Sequence, residues 1–135
     1  MQDHSTTISD LIASRKAWIE ETLKPWCARA AQRDLRLAEE LWPDIAGKVD
    51  PAKTLWCWAW SRFPGLVNDE LQGIDETNPI AVTLRNGHSF TGYPDGRKST
   101  QGQLVLLGRD PQNPRATAEL GPFEIDEIVT VERPS

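Results

Sequence analysis

Ile80-Ala-Val-Thr-Leu-Arg85, Asn86-Gly87 and His88-Ser-Phe-Thr-Gly-Tyr93 form the stretch whose reading decides the fold. Ile80, Val82 and Leu84 alternate with Ala81, Thr83 and Arg85, the period of two that a half-buried strand requires. Asn-Gly between two such runs is the strongest short-range signal for a hairpin, because the turn needs left-handed backbone that glycine adopts without steric cost. A two-residue Asn86-Gly87 loop would place Phe90 on the face opposite the aliphatic residues. A three-residue loop, Arg85-Asn86-Gly87 with Gly87 left-handed, pairs Leu84 with His88 and sets Phe90 across from Val82. The second register keeps Ile80, Val82, Leu84 and Phe90 on one inward face, so it is the one expected.

Downstream, Gln103-Leu-Val-Leu-Leu107, a short run near Thr117–Leu120 and Phe123-Glu-Ile-Asp-Glu-Ile-Val-Thr-Val131 read as further strands. They are separated by Tyr93–Gly102 and Gly108–Arg115, both rich in turn formers and both expected at the surface. In this order of strand, glycine turn, strand, longer loop, strand, short strand, tight turn near Pro122–Asp126 and last strand, residues 79–133 resemble the SH3-like and Sm-like small β-barrels. The resemblance lies at the level of the superfold. It implies a small antiparallel barrel and transfers no functional residue.

The first half reads as helical. Ile12, Ile19, Leu23 and Trp26 recur at helical spacing, with Ser9-Asp10 as the expected cap. Pro25 either kinks this helix or starts a second one reaching about Leu41, and the second option is preferred because proline suits a first turn. In that segment Leu37 and Leu41, with Ala38 and Trp42, form the expected apolar stripe, ended by Pro43 and Gly47. Asp50-Pro51 is a helix start, so 51–62 is expected as a third helix, against the strand-like alternation of Trp56, Trp58 and Trp60. A short helical turn is expected over 66–71, and 75–79 links to the β unit. The fold class is therefore α+β. A helical layer of about three helices over 9–72 is expected to pack on a small SH3-like antiparallel barrel over 79–133, in a single domain covering 1–135.

The chain of 135 residues carries a net charge of −5, with 12 acidic and 9 basic residues through Asp75 and 8 against 6 after it. Neither half is basic, which opposes tight non-specific binding to phosphate backbones. No run approaches the roughly 20 apolar residues that span a bilayer, and the polar Met-Gln-Asp-His-Ser-Thr-Thr opening lacks a signal-peptide pattern, so a cytoplasmic protein without a membrane partner is expected. Cys27 and Cys57 sit in Trp-rich segments with no metal or redox spacing, and read as reduced core residues.

Gly96-Arg-Lys-Ser-Thr100 lacks the glycine before Lys-Ser and the following helix that a phosphate loop needs. His88 follows a tight turn without a neighbouring nucleophile, and His4 lies in a polar tail. The acidic pairs Glu39-Glu40, Asp69-Glu70 and Asp126-Glu127 read as solvated surface. No catalytic, cofactor-binding or metal-ligating residue is therefore assigned, and no cofactor is expected.

Six tryptophans in the first sixty residues are the main functional hint, since an indole N–H needs an acceptor and a small layer can hardly hide all six. On a helix Trp56 and Trp60 share a face while Trp58 turns about 200° from Trp56. Trp58, with Phe63, is thus the expected anchor for a partner. Arg97 and Lys98, together with Arg85, Arg109 and Arg115 and with Phe90 and Tyr93 nearby, supply a second candidate contact in the loops of the β unit. The expected function is a non-catalytic protein-binding or regulatory module whose partner is another protein. Nucleic-acid binding through the basic loops is the alternative, disfavoured by the acidic charge, and an enzyme of unrecognised type is the second alternative.

Overall fold

The computed structural model describes residues 7–67, 74–110, 112–113 and 115–133. His4, Asp69, Glu70 and most of the turn expected over 66–71 lie outside them. The protein is α+β, a helical region followed by a five-stranded antiparallel sheet.

The strands are β1 (Ile80–Leu84), β2 (Ser89–Pro94), β3 (Gln103–Arg109), β4 (Thr117–Glu124) and β5 (Ile128–Glu132), in the order β4-β3-β2-β1-β5. The hairpin has the expected bulged register. Val82 pairs with Phe90, Leu84 N donates to His88 O at 2.9 Å, and Gly87 sits at φ +88°. A single turn of 3-10 helix, Ile125–Glu127, carries the chain from β4 across to the free edge of β1, where β5 pairs. That leaves β4 and β5 at opposite edges, so the sheet is not closed into the expected small barrel. Within the sheet, β2 holds β1 along Ser89–Gly92 but pairs with β3 only at Tyr93 and Pro94.

The helical region departs from expectation in instructive ways. Thr7, not Ser9, caps α1 (Ile8–Trp18), and Asp10 completes a capping box by accepting from Thr7 N. Pro25 does not start a separate helix. A π-helical turn, Ile19–Leu23, joins α1 directly to α2 (Lys24–Arg29), with Lys24 N donating five residues back to Ile19 O. Proline removes an N–H and crowds the carbonyl four residues earlier, and the wider turn absorbs both. The break comes instead at Ala30 and Ala31, whose ψ values are 150° and 152°. Then follow α3 (Gln32–Glu40), α4 (Trp42–Ala46, closed by Gly47 at φ +84°) and, after a 3-10 turn at Pro51–Lys53, α5 (Leu55–Trp60). Asp50 accepts from Ala52 N at 2.9 Å, as its place before Pro51 demands.

Tertiary partners explain the break at Ala30. Arg62 Nη2 donates to Cys27 O at 3.0 Å and Ala30 O at 2.7 Å, satisfying carbonyls at the end of α2. At the start of α3, Gln32 N donates to the Asp126 carboxylate at 3.0 and 3.2 Å, a cap supplied from the far end of the chain. With its start moved, α3 buries Leu35 and Ala38, and Trp42 follows at the next turn. The expected stripe is corrected accordingly, for Leu37 is 56% exposed and Leu41 is exposed too. Ile12 of the first stripe is also exposed, and burial begins only at Leu23. One cluster of buried apolar residues runs through both layers, from Leu35, Trp42, Leu55 and Trp60 to Ile80, Val82, Leu104 and Leu106.

Candidate functional site

The helical geometry divides the three tryptophans of α5 as their spacing requires. Trp56 and Trp60 are core, at 5% and 2% exposure, whereas Trp58 is half-buried. Trp58 meets Trp42 edge to face, with ring centroids 6.1 Å apart, and Lys24 Nζ lies 5.4 Å from its centroid. Phe63 packs on Trp60 at 6.3 Å and is 7% exposed, so its ring belongs to the core and is not presented as an anchor.

Tyr93 and Lys98 come together. Tyr93, Leu107 and Glu119 are directly opposed across β2, β3 and β4 and so share one face, and Lys98 forms an ion pair with Glu119 at the end of that row. Arg97 goes elsewhere, to the mouth of a cleft between the helices and the sheet. The backbone amides of Arg97 and Lys98 are occupied, since both donate to Asp95 Oδ1 at 3.1 and 3.3 Å. A phosphate would need those donors free.

Two depressions among the described residues bear on binding. The larger, of about 530 Å³, lies where β2 and β3 cross. Gly92 and Gly108 allow that crossing. A Cβ on Gly92 would stand 2.7 Å from Leu107 O, and one on Gly108 would stand 2.6 Å from Thr91 O, both closer than real Cβ atoms come. Beyond the crossing the strands leave a groove lined by Phe90, Tyr93, Leu107, Arg109, Thr117 and Leu120, among others. Phe90 is backed by Phe123, with centroids 4.8 Å apart. Tyr93 and Leu107 on its rim are 49% and 45% exposed. Sequence reasoning placed Phe90 inward, Tyr93 in a contact and Arg109 among the basic loop residues, but missed Leu107; the available signal was a glycine in each of two adjacent strands.

The smaller depression, of about 330 Å³, opens between α3, α5 and the connection from β2 to β3. Trp56, Trp60 and Ile74 give it an aromatic and aliphatic floor, and Glu39, Glu76 and Arg97 bring charge. Trp56 Nε1 is a buried donor with no partner, the single such side-chain atom among the described residues.

His88 is exposed at the hairpin turn. Burial raises the Cys27 thiol to about 11, which keeps it protonated and unreactive at neutral pH. Of the acidic pairs, Asp126 caps α3 while Glu127 is exposed. Among the described residues no group of three His, Cys, Asp or Glu side chains could hold a metal ion, and no helix is long and apolar enough to cross a membrane. Comparison with models of known protein families, with curated proteins and with solved structures finds no match.

Proposed function

We propose that the chain is a non-catalytic protein-binding module, and that its contact surface is the groove at the crossing of β2 and β3. The observation that carries this reading is the character of the lining. Phe90, Leu107 and Leu120 are apolar, Tyr93 combines an apolar ring with a polar tip, and Arg109 is the single charged lining residue among the described residues, on a chain whose net charge is −5. Interface energy concentrates in aromatic residues and arginine at the centre of such patches. The lining fits a polypeptide segment that presents apolar side chains together with a carboxylate, which Arg109 can receive in two parallel hydrogen bonds.

We also read the sheet as an SH3-like small barrel left open on one side. The strand order and the lone turn of 3-10 helix before β5 support this reading. Single-stranded nucleic acid gains no comparable support, because Lys98 is paired with Glu119 and Arg97 shares its cleft with Glu39 and Glu76.

Selection of a random peptide display library on the full chain tests the proposal. The enriched peptides should combine apolar residues with Asp or Glu, and one of them should bind at least about tenfold more weakly to Leu107→Asp. Arg109→Ala should remove the acidic preference. Enrichment of the same peptides on the Leu107→Asp chain would refute the assignment of the groove.

A further inference from the structure

The cleft between the helical layer and the sheet is separate from the groove and has a different chemistry. Glu39 reaches it from α3, Glu76 from the segment before β1, and Arg97 from the connection between β2 and β3. None of these three side chains is hydrogen-bonded or ion-paired to another described residue. Glu76 and Arg97 are exposed and Glu39 is half-buried, so all three charges are open to a ligand entering from solvent. Beneath them lie Trp56, Trp60 and Ile74, and the Trp56 residue, 5% exposed, carries the unpartnered indole N–H. Glu76 lies against the loop at Gly96. A Cβ on Gly96 would stand 2.8 Å from Glu76 Oε1, so glycine there leaves the carboxylate its place beside the cleft.

We propose that this cleft binds a small zwitterion, a free α-amino acid with an apolar side chain. Each part of the ligand answers one part of the lining: the ammonium group goes to Glu39 and Glu76, the carboxylate to Arg97, and the side chain to the floor of Trp56, Trp60 and Ile74. Both charged ends are matched, so neither is desolvated without a partner. The volume of about 330 Å³ stands at the lower end of small-molecule sites, which suits an amino acid and is too small for a nucleotide cofactor. The ligand would bridge both layers, and so would stabilise their contact as it binds. This inference goes beyond the groove reading and does not rest on it.

The test is titration of the full chain with L-leucine as the probe, by calorimetry and by the indole N–H signal of Trp56, assigned with Trp56→Phe. Saturable binding that shifts this signal is expected, weakened about tenfold or more by Arg97→Ala and by Glu76→Gln. Isopentylamine, which lacks the carboxylate, and 4-methylpentanoate, which lacks the ammonium group, should each bind at least about tenfold more weakly than leucine. Lys98→Ala, outside the cleft, should bind leucine like the parent chain, and so should Leu107→Asp, which separates this result from any failure of the groove. Three results would overturn the proposal: no saturation with leucine or phenylalanine up to about 10 mM, equal binding of the two single-charge analogues, or no effect of either cleft variant.

Discussion

Replacing Asp126 by alanine removes the cap that begins α3, and the consequence can be worked from the geometry. The carboxylate accepts from Gln32 N at 3.0 and 3.2 Å across the joint between the helices and the sheet. Loss of a helix N-cap acceptor costs about 0.5–2 kcal/mol, and an amide left unsatisfied where water has poor access costs about 1–3 kcal/mol. Gln32 is only partly buried, so water recovers part of the loss. We therefore expect about 1–2 kcal/mol, which for a chain of this length lowers the melting temperature by about 3–8 °C. Asp126→Asn keeps one acceptor and should lose about half as much. Gln32→Ala is the informative control. It keeps the capped amide but deletes the side-chain bonds to Gln101 O and Glu124. Denaturant unfolding followed by far-ultraviolet dichroism gives the free energy, and amide hydrogen exchange gives the place. Exchange should accelerate at Gln32, Arg33 and Asp34 in Asp126→Ala and not in Gln32→Ala. An Asp126→Ala chain within about 0.3 kcal/mol of the parent, or one with unchanged exchange at Gln32, would show that the remote cap does not set the start of α3.

Gly92→Ala and Gly108→Ala should each cost about 2 kcal/mol or more, because the added Cβ meets backbone oxygen that cannot yield, whereas Gly87→Ala, with open space but φ +88°, should cost about 1 kcal/mol. A neutral Gly92→Ala in thermal unfolding would contradict the crossing of β2 and β3. Hydrogen bonds from the Thr77 hydroxyl and amide hold the buried Asp75 carboxylate below its ordinary range, with smaller help from Asn78 and Arg133. A depressed carboxylate contributes stability that is present above its unfolded value near about 4 and is lost as pH falls through the folded value. Asp75→Asn should thus destabilise at pH 7 and flatten the acid loss below about pH 4; unchanged acid sensitivity would mean that other carboxylates govern it. Trp60→Ala should cost about 3–5 kcal/mol and Trp58→Ala, half-buried against Trp42, about 1–2 kcal/mol. Equal losses for the two would place Trp58 fully in the core.

Where structure depends on neighbours in the chain, the sequence was sufficient. Gly87 and the alternation around it specify the hairpin register because a slip of one residue would turn Phe90 to the other face. Asp50-Pro51 starts its helical segment from within, and helical spacing alone then separates Trp58 from Trp56 and Trp60. The tertiary structure decided what depends on remote partners. Nothing local marks Ala30 and Ala31 as a break; Arg62 and Asp126 impose it, and thereby bury Leu35 in place of Leu37. Pro25 could have ended a helix, but Leu23 and Cys27 are both buried on one continuous face, and a wider turn at Ile19–Leu23 keeps them there. Neither depression was visible in advance, for the groove needs Gly92 and Gly108 to cross and the cleft gathers Glu39, Glu76 and Arg97 from three segments. Periodicity reports which face of an element is apolar, whereas a site is made where faces of separate elements fail to close, and only their packing determines that.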